Sequence, residues 1–317
     1  GRMFDEYQIE TIDLTDEKRY KEIEDFLAQF DLTFEKELEY TIAVRAGESL
    51  VGAGSFDGEV LRNIAVDENL QGAGLTSMIL SHLMQEQARR GRMHYFIYTK
   101  PSKAQMFVNL GFHEIAQAEP YVSLLETGLG SIETYCADVA KEAAHLPTPR
   151  AAVVVNCNPF TKGHQALIRK AAKEHKGVIV FVVSEDKSLF PFAHRLKLVK
   201  AGIADLPNVI AVSAGKYIVS SATFPTYFTR ENDKVTAQTR LDIKIFATQI
   251  AHRLDIAARY IGEEPYCPVT NAYNEAMLEI FPQCGIKIVV MKRLQVDGEA
   301  VSASKVRDLI RQDDWEG

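Results

Sequence analysis

Long apolar runs are missing from this chain: no stretch approaches the roughly 20 residues that a helix needs to span a bilayer. A signal peptide is not apparent either. Cysteine is scarce, and the four cysteines (Cys136, Cys157, Cys267 and Cys284) form no C-x-x-C pair. A disulfide framework and a zinc site of paired cysteines are therefore not expected. Together these absences predict a cytoplasmic protein with reduced thiols and no association with membranes.

An excess of positive charge is absent as well. The chain carries 36 lysines and arginines against 43 aspartates and glutamates, which gives a net charge of −7 and a pI near 5.7. A general affinity for nucleic acid is therefore not expected, although a single pocket can still be basic. The fractions of hydrophobic (46%) and charged (25%) residues are typical of a globular protein. A length of 317 residues suffices for two domains, each with its own core.

Two common phosphate-binding signatures, G-x-x-x-x-G-K-S/T and G-x-G-x-x-G, are also absent. A different strand–loop–helix unit takes their place. Residues 151–155 form an apolar run typical of a buried strand, residues 156–163 are rich in turn formers, and apolar positions recur at helical spacing from His164 onwards. Free amides and the positive end of the helix dipole both face such a loop, which predicts an anion site. Gly163 would let a phosphate approach the backbone, and His164 could offer it a ring N–H.

Two prolines close together, Pro147 and Pro149, indicate where one domain ends and the next begins. The stretch Leu146-Pro147-Thr148-Pro149-Arg150 is typical of a stiff connector. We therefore predict an amino-terminal domain over residues 1–126, a linker helix and connector over 127–150, and a carboxy-terminal domain over 151–317. Strands and helices alternate in the last of these, which predicts a Rossmann-like α/β domain with a doubly wound parallel sheet. Ligands of such sheets bind at the carboxyl ends of the strands.

The last predicted helix, residues 302–311, offers a second anion-binding group at the same edge. Ser302 or Ser304 can cap this helix, whose free amides again face an anion. Arg307 lies one turn further on, so its guanidinium can reach a phosphate from the same side. By itself, this pattern is also typical of an ordinary serine-capped helix with a solvated arginine.

Together, the two groups resemble the nucleotidyltransferase superfamily. Its loop usually carries an H-x-G-H box after a Pro-Phe or Asp-Pro turn, and its last helix an I-S-S-T-x-I/V-R box. Here the corresponding stretches are PFTKGH (residues 159–164) and VSASKVR (residues 301–307), with Thr161 in place of the first histidine.

This resemblance implies that ATP is a substrate, that Mg²⁺ bridges its phosphates, and that a second substrate attacks the α-phosphate. No protein ligand is assigned to the metal; Ser184-Glu185-Asp186 could order it or could equally be loop caps. The catalytic residues that it implies are His164, Lys162 and Arg307. The nucleotide-binding residues that it implies are Asn156, Asn158, Pro159, Phe160, Thr161, Gly163, Arg195, Gly262, Glu263, Ser302 and Ser304.

The amino-terminal domain has its own strand–loop–helix unit. The strand-like run 60–66 leads through a glycine-containing loop into a helix that starts near Leu75. With the phrase Ala104–Phe112, this order resembles the α+β fold of Gcn5-related acetyltransferases over roughly residues 5–126. Phe107 stands where the family usually has a general-acid tyrosine, so the resemblance favours cofactor binding over acetyl-transfer chemistry. The residues that would hold a coenzyme-A-like arm are Gln71, Gly72, Gly74 and Thr76.

Longer phrases narrow the resemblance to one family, the citrate lyase ligases. They are NPFTKGH, VSEDKSLFPFAHRL, ATFPTYF, GEEPYCPVTNAYN and VSASKVR, which together cover nearly all of residues 151–311. The threonine in the box agrees with that family. The resemblance implies adenylation of acetate by ATP, which gives acetyl-AMP and pyrophosphate. The acetyl group then passes to the thiol of the CoA-like prosthetic group on the acyl-carrier subunit of citrate lyase, which activates that enzyme.

Two other functions fit the same residues. One is an adenylyltransferase that acts on a phosphorylated, vitamin-like substrate such as phosphopantetheine, with a fused acetyltransferase-like module. The other is a non-catalytic nucleotide-sensing scaffold that binds the lyase. Exchange of pyrophosphate into ATP would require acetate in the ligase, ignore acetate in the adenylyltransferase and be missing in the scaffold. The acetate pocket is not apparent from the sequence, although the aromatic stretch 222–228 is one candidate; it could equally be core.

Overall fold

The computed structural model of the chain describes residues 6–35, 37–156, 160–184, 191–220, 223–225, 227–228, 230–263, 268–292, 295–296 and 299–300. The chain forms two compact units. Unit 1 comprises Gly1–Ser131 with Ala222–Ala237, and unit 2 comprises Ile132–Ser221 with Gln238–Gly317. Residues 222–237 therefore group with the amino-terminal unit, although they lie far along the sequence. The domain boundaries at residues 126 and 150 stay a prediction.

Unit 1 is built around one seven-stranded sheet. Its strands are β1 (Tyr7–Thr11), β2 (Tyr40–Ala46), β3 (Ser49–Asp57), β4 (Val60–Val66), β5 (His94–Thr99), β6 (His113–Ala118) and β7 (Val122–Gly128). Its helices are α1 (Glu17–Ala28), α2 (Leu75–Arg89) and α3 (Ala104–Asn109). The strand order is β1-β2-β3-β4-β5-β7-β6, and only β4 and β5 are parallel neighbours.

Alternation of side chains along the strands supplies an apolar layer on each face of this sheet. Ile42 and Val44 point to the face that α2 covers, where they share a core with Ile79. Ala43, between them, shares the opposite core with Ile23 of α1. Both faces of the sheet are therefore buried, which fits the acetyltransferase-like α+β fold that the sequence predicts.

Unit 2 contains a five-stranded sheet whose strands are all parallel. The strands are β8 (Arg150–Val155), β9 (Val178–Val182), β10 (Val209–Ser213), β11 (Ile256–Gly262) and β12 (Lys287–Met291). The helices are α4 (Ile132–Glu142), α5 (Lys162–Glu174), α6 (Phe192–Gly202), α7 (Lys234–Ile245), α8 (Ala251–Arg253) and α9 (Pro268–Gln283), with a π-helical segment Phe246–Ile250 before α8. The first four residues of α7, 234–237, group with unit 1. A short hairpin, β13 (Gln295–Val296) and β14 (Glu299–Ala300), follows.

The strand order of this sheet is β10-β9-β8-β11-β12. The predicted doubly wound α/β fold is thus confirmed, with the winding direction reversing between β8 and β11. The crevice outside the carboxyl ends of these two strands is where sheets of this type bind ligands. Val155 and Gly262 are the last residues of the two strands, so Asn156 and Glu263, which follow them, lie at this crevice.

The two ends of segment 222–237 are joined in unit 2. The side-chain amide of Gln238 donates to the carbonyl of Val219 (2.6 Å), and the amide of Val219 donates to the carboxylate of Asp242 (2.8 Å). Burial raises the pKa of Asp242 to about 6. Tyr273 also donates to this carboxylate, at 3.3 Å. Val219 and Gln238, which flank the segment in the sequence, are therefore joined by a buried hydrogen bond.

No helix in the described ranges is both long and apolar enough to cross a membrane.

Candidate active site

The start of α5 is shaped by Thr161 and His164. Thr161 is buried and has extended backbone torsions, and its hydroxyl oxygen accepts a hydrogen bond from the amide of His164 at 3.2 Å. In return, the amide of Thr161 donates to Nδ1 of His164 at 3.1 Å. This is a reciprocal capping box in which a histidine replaces the usual glutamate or glutamine. It satisfies two amides at the helix start and fixes the position of the imidazole.

The hydrogen bonds also define the protonation of His164. Nδ1 accepts from an amide, so it carries no hydrogen, and the hydrogen of the neutral ring resides on Nε2. Burial lowers the pKa of His164 to about 4, which keeps the ring neutral at pH 7. The positive end of the helix dipole acts in the same direction. His164 thus offers a neutral N–H donor at the helix start.

Phe160 packs beside this histidine. The two rings are nearly parallel, with centroids 6.2 Å apart and an interplanar angle of 14°. Gly202, at the end of α6, makes room for Phe160, since a Cβ at that position would overlap the phenyl ring. Gln165 donates to the carbonyl of Gly202 at 2.9 Å and holds the two helices together at this point.

The polar groups at the neighbouring strand ends differ in their accessibility. Lys162, the first residue of α5, is exposed, as is Asn156 directly after β8. At the end of β11, a Cβ on Gly262 would meet no atom within 4 Å among the described residues, so the backbone there can be approached closely. Glu263 follows with an exposed side chain, and its amide donates to the carbonyl of Met291 at 2.9 Å.

Arg195 has a different environment from the one that a phosphate-binding role suggests. Its side chain is fully buried in α6, and Nη2 donates to the carbonyl of Val183 at 2.7 Å, just after β9. The guanidinium also lies over the ring of Phe192, 5.8 Å from its centroid. In this arrangement Arg195 ties α6 to the end of β9. The side chain is fully buried, and its role in phosphate binding stays a prediction.

Several predicted site residues lie outside the described residues. These are Asn158, Pro159, Ser302, Ser304 and Arg307. Among the residues that the structure does describe in unit 2, it brings Asn156, Phe160, Thr161, Lys162, Gly163 and His164 together around the start of α5, with Gly262 and Glu263 at the adjacent strand end. Within the described ranges, no cluster of three or more His, Cys, Asp or Glu side chains could hold a metal ion.

Unit 1 has its own helix start at Gly74. Asp67 caps a 3₁₀ turn (Glu68–Ala73) by accepting from the amide of Asn69 at 2.9 Å. Gly74 then adopts a left-handed conformation (φ +80°) and leads directly into α2. Glycine is the residue that tolerates this φ, and it provides no side chain to cap the helix. The backbone of Gln71 and Gly72 is part of the 3₁₀ turn. Thr76 is buried in the first turn of α2.

A cavity of about 90 Å³ lies beside this turn, where β4 and β5 part. The described pairing of the two strands is confined to Val60–Phe96 and Leu61–Ile97, so their carboxyl halves diverge. A single water molecule needs roughly 10–15 Å³, so the cavity has room for several non-hydrogen atoms of a ligand. Its lining residues come from the two strands, α2, α3 and segment 222–237, and include Val66, Thr76, Thr99, Phe107, Tyr227 and Phe228.

Two of these features were not predicted from the sequence. The hydroxyl of Thr161 is directed at His164 instead of standing alone in the loop; the T-x-x-H spacing at a helix start is the signal that could have indicated it. Tyr227 and Phe228 are buried in unit 1. No local sequence pattern predicts that Tyr227 bonds to Tyr98, which lies 129 residues earlier in the chain.

Comparison with known proteins bears on the whole chain. The family model described as the citrate lyase ligase C-terminal domain matches residues 150–317. Citrate (pro-3S)-lyase ligase from Klebsiella pneumoniae is 37% identical over 309 residues, which cover 96% of this chain and 90% of the relative. The protein of the same name from Escherichia coli K12 is 34% identical over 306 residues, with 95% and 87% covered. Phosphopantetheine adenylyltransferase from Pasteurella multocida is 42% identical, but over 57 residues that cover 17% of this chain and 36% of that protein.

Solved structures resemble each part of the chain. The ribosomal-protein-S18-alanine N-acetyltransferase from Escherichia coli covers 39% of this chain and 95% of its own, with 18% identity and a TM-score of 0.32. The pantoate–β-alanine ligase from Francisella tularensis covers 60% and 80%, with 14% identity and a TM-score of 0.36. The family model spans more than half of the chain, and the named relatives match along nearly all of it. The chain belongs to the citrate lyase ligase family and is an enzyme of that type.

Proposed function

We propose that unit 2 adenylates acetate with ATP and that the acetyl group is then passed to the acyl-carrier subunit of citrate lyase. An acetate oxygen attacks the α-phosphorus of ATP, the bond to the β-phosphate breaks, and pyrophosphate leaves. The thiolate of the CoA-like prosthetic group then attacks the acetyl carbonyl. The C–O bond to AMP breaks, AMP leaves, and the thiol proton passes to solvent. The product is an acetyl thioester on the carrier.

The observation that carries the adenylation proposal is the neutral His164 at the start of α5. In the transition state, negative charge grows on the non-bridging oxygens of the α-phosphate. An Nε2–H donor, the free amides at the helix start and the exposed Lys162 suit that charge, and each is positioned before substrate binds. Gly262 and Glu263, at the neighbouring strand end, would frame the nucleoside.

The remaining predicted residues complete this proposal. Asn156, Asn158, Pro159, Phe160, Thr161 and Gly163 would form the loop around the phosphates, and Arg195, Ser302, Ser304 and Arg307 would approach from the other side. The nitrogen donors of the described part of the loop bind phosphate oxygens and are not ligands for a hard cation. Mg²⁺ would therefore be held by the phosphates, where it neutralises the charge of the leaving pyrophosphate.

For unit 1 we propose that it binds the CoA-like arm of the carrier. The turn at Gln71–Thr76 would hold the phosphates of the arm against backbone amides. Thr76 also lines the cavity between β4 and β5, so the end of the arm would enter it. Phe107 lines the cavity and is buried against Phe112, with ring centroids 5.9 Å apart. It has no proton to donate, which suits a thiol that attacks a mixed anhydride and needs no general acid.

The experiment that tests the proposal is acetate-dependent exchange of labelled pyrophosphate into ATP in the presence of Mg²⁺. We expect exchange only with acetate, and its loss in His164→Ala. His252→Ala is the matched control, because His252 is an exposed histidine of the same unit outside the site, and we expect it to leave exchange unchanged. Exchange that ignores acetate but responds to phosphopantetheine would favour the adenylyltransferase. A lack of exchange with every acceptor would favour the scaffold.

A further inference from the structure

We propose that Thr161 is a positioning residue that selects the reactive tautomer of His164. This proposal rests on the adenylation chemistry proposed above, and it goes beyond a nucleotide-binding role for the threonine. The amide and the hydroxyl of Thr161 both donate a hydrogen bond to Nδ1, which places the hydrogen of the imidazole on Nε2.

Three contacts between the two residues support the assignment. The amide of Thr161 lies 3.1 Å from Nδ1 of His164, and the hydroxyl oxygen of Thr161 lies 3.0 Å from the same nitrogen. That hydroxyl also accepts from the amide of His164 at 3.2 Å. A hydroxyl has one hydrogen and two lone pairs, so it can accept from the amide and donate to Nδ1 at once. Both donors require Nδ1 to be unprotonated.

The ring cannot easily exchange its two nitrogens. Rotation by 180° would remove Nδ1 from the capping box and leave the amide of Thr161 without its acceptor in a partly buried position, which is costly. Phe160 lies beside the imidazole, with its ring nearly parallel to it and the two centroids 6.2 Å apart. Among the described residues, Nε2 has no protein partner, so its hydrogen is available to a substrate oxygen.

The consequence for catalysis is a division of roles within the box. His164 touches the phosphate, whereas Thr161 acts through His164. A residue that caps the helix equally well but cannot donate a hydrogen would keep α5 intact and change the protonation of the ring. Aspartate is such a residue: it is a strong helix cap, but its carboxylate is only an acceptor.

The test compares Thr161→Asp with Thr161→Ser. In the wild type without ligands, ¹⁵N NMR of the ring should show an unprotonated Nδ1 and a protonated Nε2 at pH 7. In Thr161→Asp the amide still donates to Nδ1, but the carboxylate replaces the hydroxyl donor and favours a hydrogen on that nitrogen. We therefore expect a rise in the pKa of His164 and a larger fraction of rings with a hydrogen on Nδ1, together with a fall of about 10-fold or more in kcat of exchange. The KM for ATP should change much less. Thr161→Ser should retain the wild-type tautomer and most of the activity.

A double-mutant cycle and a second cap complete the test. Measured on the residual exchange of His164→Ala, at raised enzyme concentration, Thr161→Asp should have no further effect, because the two residues act as one unit. Asp16→Ala removes the cap of α1, where Asp16 accepts from the amides of Lys18 and Arg19, and should leave exchange unchanged. The proposal is overturned if Thr161→Asp keeps the wild-type ring signals, or if its effect adds to that of His164→Ala. Should the wild type show no exchange at all, the proposed function fails, while the NMR comparison still decides the tautomer.

Discussion

The hydroxyl of Tyr227 donates a hydrogen bond to the main-chain carbonyl of Tyr98, 2.5 Å away, across 129 positions of sequence. Tyr98 belongs to β5, and Tyr227 to the segment that joins unit 1 from the far part of the chain. The carbonyl of Tyr227 in turn accepts from the amide of Thr33 at 2.8 Å, and the ring of Phe224 packs edge-on against Tyr98. The segment is thus bonded to the sheet through its side chains and to the chain after α1 through its backbone.

Replacement of Tyr227 should reduce stability in two steps. Tyr227→Phe removes one buried hydrogen bond and should lower the free energy of unfolding by about 0.5–1.5 kcal/mol. Tyr227→Ala also removes a buried ring beside the cavity and should cost about 3–5 kcal/mol. Urea unfolding measures both values, and Tyr121→Phe, on a partly exposed turn, is the control that should change little. If Tyr227→Ala proved as stable as the wild type, the described packing would be contradicted.

The turn at Gly74 should affect one step of the reaction and not the other. Gly74→Asp puts a negative charge where we propose that the phosphates of the arm bind, at a position with φ +80°. We expect acetate-dependent exchange to persist and transfer of acetyl to the carrier to be lost. Gly47→Asp introduces the same charge at a similar φ of +64°, in an open hairpin turn, and should leave both steps intact. Equal loss of both steps in Gly74→Asp, in a folded protein, would reject the role proposed for unit 1.

Lys162 is expected to strengthen binding of the nucleotide and to destabilise helix α5 slightly. A cation in the first turn of α5 opposes the helix dipole, so Lys162→Ala should leave stability unchanged or raise it by about 0.3–1 kcal/mol. Loss of a charge-assisted contact of about 1.5 kcal/mol should nevertheless raise the KM for ATP about 10-fold. Lys173→Ala, at the exposed last turn of the same helix, should not change KM. An unchanged KM in Lys162→Ala would remove this residue from the site.

Stability should depend on pH through two groups of opposite sign. The pKa of His164 is lowered from 6.5 to about 4, so the unfolded chain binds more protons than the folded chain between these pH values. The free energy of unfolding that this histidine contributes is therefore lost as the pH falls from 6.5 to about 4. The pKa of Asp242 is raised from 3.8 to about 6, so the folded chain binds more protons than the unfolded chain between these pH values. The free energy of unfolding that this carboxyl group contributes is therefore lost as the pH rises from 3.8 to about 6. The two largely offset each other between pH 4 and pH 6.

Single variants should separate these terms. His164→Ala should make the free energy of unfolding fall more steeply, or rise less, as pH increases from 4 to 6.5. Asp242→Asn retains an oxygen that can accept from Val219 and should make the same free energy rise with pH. Urea unfolding at several pH values between 4 and 7 provides the measurement. Identical pH slopes for the wild type and both variants would contradict the two environments.

The parts of the structure that could be predicted from the sequence are those that depend on short stretches. The strand at residues 151–155 and the helix start near His164 follow from local patterns of apolar residues and turn formers, and both are present. The parallel sheet follows from the alternation of such units. The loop at Gly74 is likewise local, because its conformation depends on a single glycine.

Other features depend on contacts that no local pattern encodes. For residues 222–228 the sequence leaves two roles open, an acetate pocket or a core. Phe224, Tyr227 and Phe228 are buried in unit 1, where the hydroxyl of Tyr227 donates to a carbonyl of the distant strand β5. The burial of Arg195 depends on how α6 meets the end of β9. For Ser302, Ser304 and Arg307, which lie outside the described residues, the sequence motif remains the basis of the assignment.

The return of residues 222–237 to unit 1 also has a consequence for synthesis of the chain. The last strand of the seven-stranded sheet ends at Gly128, whereas the segment that covers its cavity is complete only at Ala237. At roughly 5–20 residues per second, about 5–20 s separate the appearance of the two on the ribosome. During this interval the aromatic partners of β5 are missing, and the diverging halves of β4 and β5 are exposed. The amino-terminal part of this enzyme therefore emerges first but finishes folding only after much of the second sheet has been made.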